Sequence, residues 1–183
     1  MSAEPRAVSS MRATAHPVRL QILSLLTGAD MSAAEIAREL AISHANASYH
    51  LLFLAPNGLL VDAGGEKIRG GVAKRYRHPW DAGDAGGPEA TPEDLAQYVC
   101  ATADELVRRF GLRQRQWRPG LLTDAEVWVT PEVWEQVSSL TREASRLIHS
   151  EARPPRTPGT IHVNLTAAAF EMAGPGRDKE ALS

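Results

Sequence analysis

The chain has 183 residues, of which 43% are hydrophobic and 23% charged, and its formal net charge is −2. This composition is typical of a globular protein, and the lack of any apolar run of about 18 residues excludes a hydrophobic membrane-spanning helix. The single cysteine, Cys100, allows no disulfide within the chain, which favours a cytoplasmic location. We expect this thiol to be a small buried apolar group, because no set of ligand residues surrounds it at metal-site spacing.

Charge is distributed unevenly along the chain. Residues 1–80 contain nine Lys and Arg against six Asp and Glu, whereas residues 81–183 contain eleven against sixteen. Five of the nine early cations lie between Lys67 and Arg77. This pattern indicates a first part that faces a polyanion, with a solvated charge run as the alternative.

Three helices are predicted in the first part of the chain. Pro17 is typical of a first helical turn, and apolar residues then repeat at helical spacing. Ser32, with Glu35 three residues later, predicts a capping box at the start of a short second helix. Ser43 follows as the N-cap of a third helix, which must stop just before Pro56. Two short helices joined by a tight turn are typical of a helix-turn-helix.

The third predicted helix has an apolar face and a polar face. Its apolar face carries Ala47, His50, Leu51 and Leu54. Its polar face and its N-terminus carry Ser43, His44, Asn46, Ser48 and Tyr49. We expect the first face to pack in a core and the second to remain available for contacts.

A β-hairpin is predicted after the helices. Its first strand starts at Leu59, its tip spans Ala63–Lys67, and its second strand runs over Ile68–His78. The cations of this hairpin are Lys67, Arg69, Lys74, Arg75 and Arg77. A paired and strongly basic hairpin beside a helix-turn-helix predicts a wing.

Three stretches of the first 80 residues follow one another: Ala15–Leu23 (AHPVRLQIL), Ser32–Leu40 (SAAEIAREL) and Ser43–Gly58, the last with a Ser48-Tyr49-His50-Leu51…Leu54…Gly58-Leu59-Leu60 pattern. Together, over about residues 13–80, they resemble the winged helix-turn-helix regulators of the ArsR/SmtB-like family. The resemblance implies a DNA-binding fold, a homodimer and control of transcription. The chain departs from the metal sensors of that family because Glu35–Leu40 contains no Cys-x-Cys pair. A metal response is therefore not expected.

The acidic second part is predicted to follow a Gly- and Asp-rich linker at residues 81–91. Residues 92–171 have an α-β-α-β pattern, with a helix over Thr91–Arg115, a strand in Leu121–Val129, a helix from Thr130 and a strand over Thr160–Phe170. Residues 172–183 are predicted to be a flexible tail. The predicted fold is therefore mainly α (α+β), with a winged helix-turn-helix domain at residues 1–80 and a smaller dimerisation or effector domain behind it.

The second part also offers candidate interfaces. Its two amphipathic helices favour a symmetric homodimer with the Thr91–Arg115 helix at the interface, unless they only cover their own sheet. Four aromatic residues are candidates for an apolar pocket that binds a small-molecule effector: Tyr98, Trp117, Trp128 and Trp134. Packing in a core or interface is the alternative for them.

The sequence thus predicts a regulator that binds specific double-stranded DNA as a homodimer. Asn46 suits an adenine edge in the major groove, and His44 suits a purine or a phosphate. Ser43 and Ser48 suit phosphates, Tyr49 suits the groove or the core, and the wing cations suit the backbone. A winged-helix protein-interaction module, or a small-molecule sensor without DNA readout, remains the alternative. No phosphate-binding glycine loop, nucleophile elbow or metalloprotease motif is present, so we expect no enzyme, cofactor or membrane partner.

Overall fold

Helices dominate the architecture. The structure, a computed structural model, describes residues 8–68, 71–82, 88–114 and 120–172. Within them lie α1 (Ser10–Thr14), α2 (Pro17–Gly28), β1 (Met31–Ser32), α3 (Ala33–Leu40), α4 (His44–Leu54), β2 (Val61–Ile68), β3 (Gly71–Arg77), α5 (Pro92–Gly111) and α6 (Pro131–Ser150). The predicted order of three helices and a hairpin is present as α2, α3, α4 and the β2–β3 pair. The short helix α1 is an addition that the apolar pattern does not reveal.

Side-chain caps fix where the helices of the first part begin. His16 precedes α2, and its Nδ1 accepts the backbone N–H of Val18 at 3.1 Å. Ser32 and Glu35 form the predicted capping box, in which the Glu35 carboxylate accepts the Ser32 N–H at 2.7 Å. The Ser43 hydroxyl oxygen caps α4. Each cap satisfies a backbone N–H that has no partner inside its helix.

The core of the first part lies between α2, α3, α4 and the sheet. Its most fully buried large side chains are Ile22, Leu26, Ile36, Leu51 and Leu54. The predicted apolar face of α4 is confirmed, since its four residues are all buried. Burial of that face leaves the polar face of α4 on the outside.

The sheet is antiparallel, with strand order β1-β3-β2. Met31 of β1 lies opposite Tyr76 of β3, and Val61 of β2 lies opposite Arg77. The sheet therefore ties the connection between α2 and α3 to the hairpin.

The predicted position of the hairpin tip is wrong. Ala63–Lys67 belongs to β2, which pairs with β3 as far as Ile68 opposite Gly71. An irregularity between Asp62 and Gly65 lets β2 continue, because the Asp62 carboxylate accepts the N–H of Gly64 at 2.8 Å. Gly64 has φ 95°, a conformation that strains any residue with a side chain. The glycines that suggested a tip therefore form a bulge.

The second part contains the two predicted helices but not the predicted strands. α5 and α6 each follow a threonine N-cap and begin at a proline, as expected. Residues 120–130 and 160–172 form no strand in the structure, so the α-β-α-β prediction is wrong here. Neither segment pairs with a strand among the described residues, and alternation alone cannot make a ladder. Their large apolar side chains are exposed, with Trp128 at 87% and Ile161 at 76%.

α5 packs against α1 and α2 of the first part. Glu105 is 2% exposed and accepts hydrogen bonds from Arg108 and Arg109 of its own helix and from Gln21 of α2. Burial alone would raise the pKa of Glu105, but the hydrogen bonds from these donors bring it below its ordinary value. Near the start of α5, the Ser9 hydroxyl donates to Asp94 at 2.8 Å.

The predicted burial of Cys100 is wrong, because this thiol is exposed on α5. The predicted linker and tail fall partly outside the described residues, which omit 83–87 and 173–183.

Candidate nucleic-acid interface

The N-terminal turns of α4 hold the predicted base-contacting side chains on the open side of the helix. His44 and Asn46 are exposed, Tyr49 is 65% exposed, and Ser48 is half-buried. Because the opposite face of α4 is buried in the core, packing fixes the direction in which these side chains project. The sequence therefore placed this face correctly.

Ser43 has a capping role that is compatible with an anion contact. Its Oγ accepts the N–H of Asn46 at 3.1 Å, and the residue itself is exposed. The hydroxyl proton is not used by this bond. The first-turn N–H groups and the helix dipole make this end of α4 favourable for a phosphate.

A groove of about 320 Å³ separates α4 from the sheet. Side chains that line it are Ser32, His44, Ser48, Leu52, Lys74 and Tyr76. The polar face of α4 and strand β3 therefore border the same depression. Leu52, which is 69% exposed, and Tyr76 were not among the predicted site residues. The sequence signal that could have identified Leu52 is its apolar side chain on the otherwise polar face of α4.

Two of the predicted wing cations are exposed and lack an acidic neighbour. Neither Lys67 nor Arg77 has a carboxylate oxygen within 4.0 Å among the described residues. Lys74 has one, since its Nζ lies 3.0 Å from Asp62 Oδ2 with both side chains more than half exposed. The hydrogen bond to Asp62 raises the pKa of Lys74. Arg69 lies outside the described residues.

Arg75 differs from the other wing cations because it points toward α3. A phosphate contact is predicted for it from the sequence, but its Nη1 lies 3.0 Å from Glu35 and 2.7 Å from Glu66. It also donates to the carbonyl of Asp30. Burial works to raise the pKa of Glu35, but hydrogen bonds from Ser32 and the Arg75 guanidinium lower it overall. Arg75 therefore joins the wing to the capping box of α3, and its charge is already compensated.

Three of the four aromatic candidates for an effector pocket lie within the described residues, and none of these three lines the groove beside α4. Tyr98 on α5 and Trp134 on α6 are half-buried, whereas Trp128 is 87% exposed in the segment before α6. Trp117 lies outside the described residues.

No group of three His, Cys, Asp or Glu side chains converges as metal ligands within the described residues. The helices seen in those same residues lack the combination of length and apolar character that a bilayer crossing demands.

Comparison with known families agrees with this geometry. Residues 14–61 match the family model of a helix-turn-helix domain. The match extends from the last residue of α1 to the first residue of β2, and so includes α2, α3 and α4. No curated protein matches the chain. Residues 14–61 are thus similar to a helix-turn-helix domain, with α3 and α4 as the two helices joined by the turn.

Proposed function

We propose that the protein is a sequence-specific regulator of transcription that binds double-stranded DNA as a homodimer. The observation that carries the proposal is the exposed N-terminal turn of α4, which borders one groove together with the basic hairpin. The major groove of B-DNA accommodates one α-helix, and its base edges are distinguished by side chains on that helix. No catalytic turnover is part of this proposal.

Base recognition is assigned to the exposed residues of α4. The Asn46 amide can accept from and donate to an adenine edge, and His44 can donate to a purine N7 or a phosphate. Ser43 and Ser48 are placed for backbone phosphates near the positive end of the helix dipole. This helix carries no Lys or Arg, so most of the electrostatic attraction has to come from another element.

The hairpin supplies that attraction. Lys67 and Arg77 are exposed and have no carboxylate within 4.0 Å among the described residues, so they can neutralise phosphates without breaking an ion pair. Lys74 can exchange its exposed Asp62 partner for a phosphate at small cost. Arg75 is proposed to hold the wing in place.

A homodimer accounts for the exposed apolar side of α5. Leu95, Val99, Leu106 and Phe110 are 40–56% exposed and recur at helical spacing; we call them the α5 stripe. The stripe lies on a different side of α5 from buried Ala101 and Glu105. A permanent dimer interface covers roughly 2,000–5,000 Å² of surface.

The motifs of the first part support a finer assignment to the ArsR/SmtB-like family within the helix-turn-helix class. A small molecule rather than a metal is the proposed effector, since Glu35–Leu40 carries no cysteine. A module that binds only acidic protein surfaces is the competing function.

Selection of binding sites from random duplexes by the purified protein tests the proposal. We expect a palindromic site whose half-sites are centred about 10 base pairs, or a multiple of that distance, apart. Recovery of no enriched sequence, together with salt-insensitive binding, would contradict a regulator and favour the protein-interaction module.

Asn46→Ala is expected to reduce affinity for the selected site by about tenfold or more, with little change for random DNA. The reason is that a bidentate base contact contributes roughly 1–3 kcal/mol of discrimination, whereas phosphate contacts are independent of sequence. Fluorescence anisotropy with both duplexes measures the difference. Gln136→Ala, which removes an exposed amide from α6, is the matched control. Equal losses on both duplexes would remove Asn46 from base recognition.

Lys67→Ala combined with Arg77→Ala is expected to weaken binding to every duplex and to flatten its salt dependence. Each lost phosphate contact lowers the log–log slope by about 0.9, so two wings that lose two contacts each lower it by about 3.6. Titration of binding against salt from low to moderate ionic strength gives this slope. Arg75→Ala should leave the slope nearly unchanged, because its guanidinium is paired with Glu35 and Glu66. If the slope of the double variant equals that of the wild type, the wing does not contact phosphates.

A further inference from the structure

A second and smaller cavity lies between the start of α2 and the side of α4 that faces it. It has a volume of about 110 Å³ and is lined by His16, Arg19, Tyr49, His50 and Phe53. Two of these residues belong to the region of α2 and three belong to α4. None of the five carries a carboxylate, so the walls hold one permanent cation, two imidazoles and two aromatic rings.

Buried nitrogen atoms at this cavity have no hydrogen-bond partner among the described residues. Arg19 Nε and Nη1 and His50 Nδ1 are buried and make no hydrogen bond within the described residues. His50 as a whole is 5% exposed. A buried polar atom without a partner costs free energy, and a guanidinium costs more than a neutral group. The Arg19 guanidinium therefore lacks an acceptor.

The geometry around Arg19 shows which kind of acceptor fits. Its guanidinium carbon lies 4.5 Å from the centre of the Phe53 ring, which holds one face of the planar group against an aromatic wall. No carboxylate lies within 4.0 Å of Arg19 among the described residues. A guanidinium with buried unpaired nitrogens and no carboxylate neighbour favours an anionic acceptor, and a carboxylate can accept hydrogen bonds from it.

His16 supplies a further donor. Its Nδ1 accepts the N–H of Val18, so in the neutral ring the proton lies on Nε2. The His16 and His50 rings lie 4.8 Å apart between centres. Burial, together with the nearby Arg19 charge, lowers the pKa of His16, and burial with both His16 and Arg19 lowers the pKa of His50 to about 4. Both imidazoles are therefore neutral near pH 7, and Arg19 is the permanent charge of the cavity.

We propose that this cavity binds a small carboxylic acid as its anion, with Arg19 as the charge partner and the two imidazoles as further donors. The aromatic walls of Tyr49 and Phe53 favour a short apolar body over a highly polar one. The volume limits the ligand to the size of a small aliphatic or simple aromatic acid. The carboxylate would occupy the position that the unpaired atoms of Arg19 and His50 leave without an acceptor.

Such a ligand would join α2 to α4 and so alter how firmly α4 is held. This consequence rests on the proposed function, since α4 is the helix assigned to the DNA groove. Binding of the acid itself does not depend on that assignment.

Calorimetric titration of the full chain with benzoate and with acetate tests the site. We expect saturable binding, which Arg19→Gln weakens at least about tenfold because a charge-assisted pair is lost. Arg38→Gln, which neutralises an exposed arginine of α3, should bind as the wild type does. Absence of saturable binding, or equal affinity for the Arg19→Gln chain, would overturn the proposal.

Proton NMR of the histidine rings provides a second test, which uses the wild-type protein and therefore does not depend on whether a variant folds. Benzoate should shift the His16 and His50 resonances, leave exposed His162 unchanged, and raise the pKa of His50 from about 4. If inorganic phosphate shifts the same ring resonances with equal affinity, the preference for a carboxylate is overturned. A short duplex that shifts them in competition with benzoate would assign the cavity to a DNA phosphate instead.

The effect on DNA is measured separately by anisotropy with and without benzoate. A change in duplex affinity that Arg19→Gln abolishes would support the coupling. Benzoate that occupies the cavity with no effect on duplex affinity would overturn the coupling and leave the binding site in place.

Discussion

A chain that carries Val99→Glu and Leu106→Glu is expected to be a monomer and to bind a palindromic duplex at least about a hundredfold more weakly than the wild type. Both residues belong to the α5 stripe, where they are 56% and 40% exposed in the single chain. Two carboxylates placed in a self-complementary apolar contact face each other across the two-fold axis and cannot be solvated there. Loss of the dimer removes the gain that comes from binding two half-sites at once, which is typically a factor of 10²–10⁴.

Sedimentation equilibrium and duplex binding on the same samples measure this outcome. Asp104→Lys is the matched control, because it changes an exposed charge on α5 outside the stripe. Since α5 also packs on its own α2 through Glu105, circular dichroism has to show that the double variant remains folded. A variant that stays dimeric and folded would exclude the α5 stripe as the interface.

Acidification from pH 7 to pH 5 is expected to cost about 2 kcal/mol of unfolding free energy through His50. Burial first, and then the charges of His16 and Arg19, lower its pKa from 6.5 in the unfolded chain to about 4. Between these two values the unfolded chain binds a proton that the folded chain does not, so stability falls as the pH falls. His16 and His78, whose pKa values are also lowered, act in the same direction.

Urea unfolding at several pH values between 7 and 5 gives this dependence. His50→Gln should reduce the loss of unfolding free energy between pH 7 and pH 5 by about 2 kcal/mol, since the glutamine does not titrate. His162→Gln, at an exposed position, should keep the slope of the wild type. Parallel curves for His50→Gln and the wild type would mean that His50 is protonated as readily in the folded chain as in the unfolded one.

The parts of the fold that the sequence predicts correctly are those set by neighbours along the chain. Ser32 with Glu35, and Ser43 with the helix after it, are local caps whose geometry needs only three or four residues. The inner face of α4 follows from helical periodicity, which is equally local. These two signals are enough to place His44, Asn46 and Tyr49 on the open side of α4.

The parts that the sequence does not predict depend on residues far apart. Arg75 is compensated by Glu35, which lies forty positions earlier, because the β1–β3 pairing brings the wing to the start of α3. The bulge at Gly64 requires knowledge of the register with β3. Alternation in the segments around Trp128 and Ile161 resembles a strand pattern, but no pairing within the described chain satisfies it. A second chain is one source of such pairing.

Glu105 has a consequence for operator geometry. The hydrogen bond that Glu105 accepts from Gln21 joins α5 to α2 of the helix-turn-helix, so we expect α5 and α4 to move together. In the proposed dimer, the alignment of the two α5 helices determines the distance between the N-termini of the two α4 helices. A slip of one helical turn along the contact displaces each end by about 5.4 Å, which exceeds the roughly 3.4 Å spacing of successive base pairs. The spacer length that an operator tolerates would then report directly on how the two copies of α5 align.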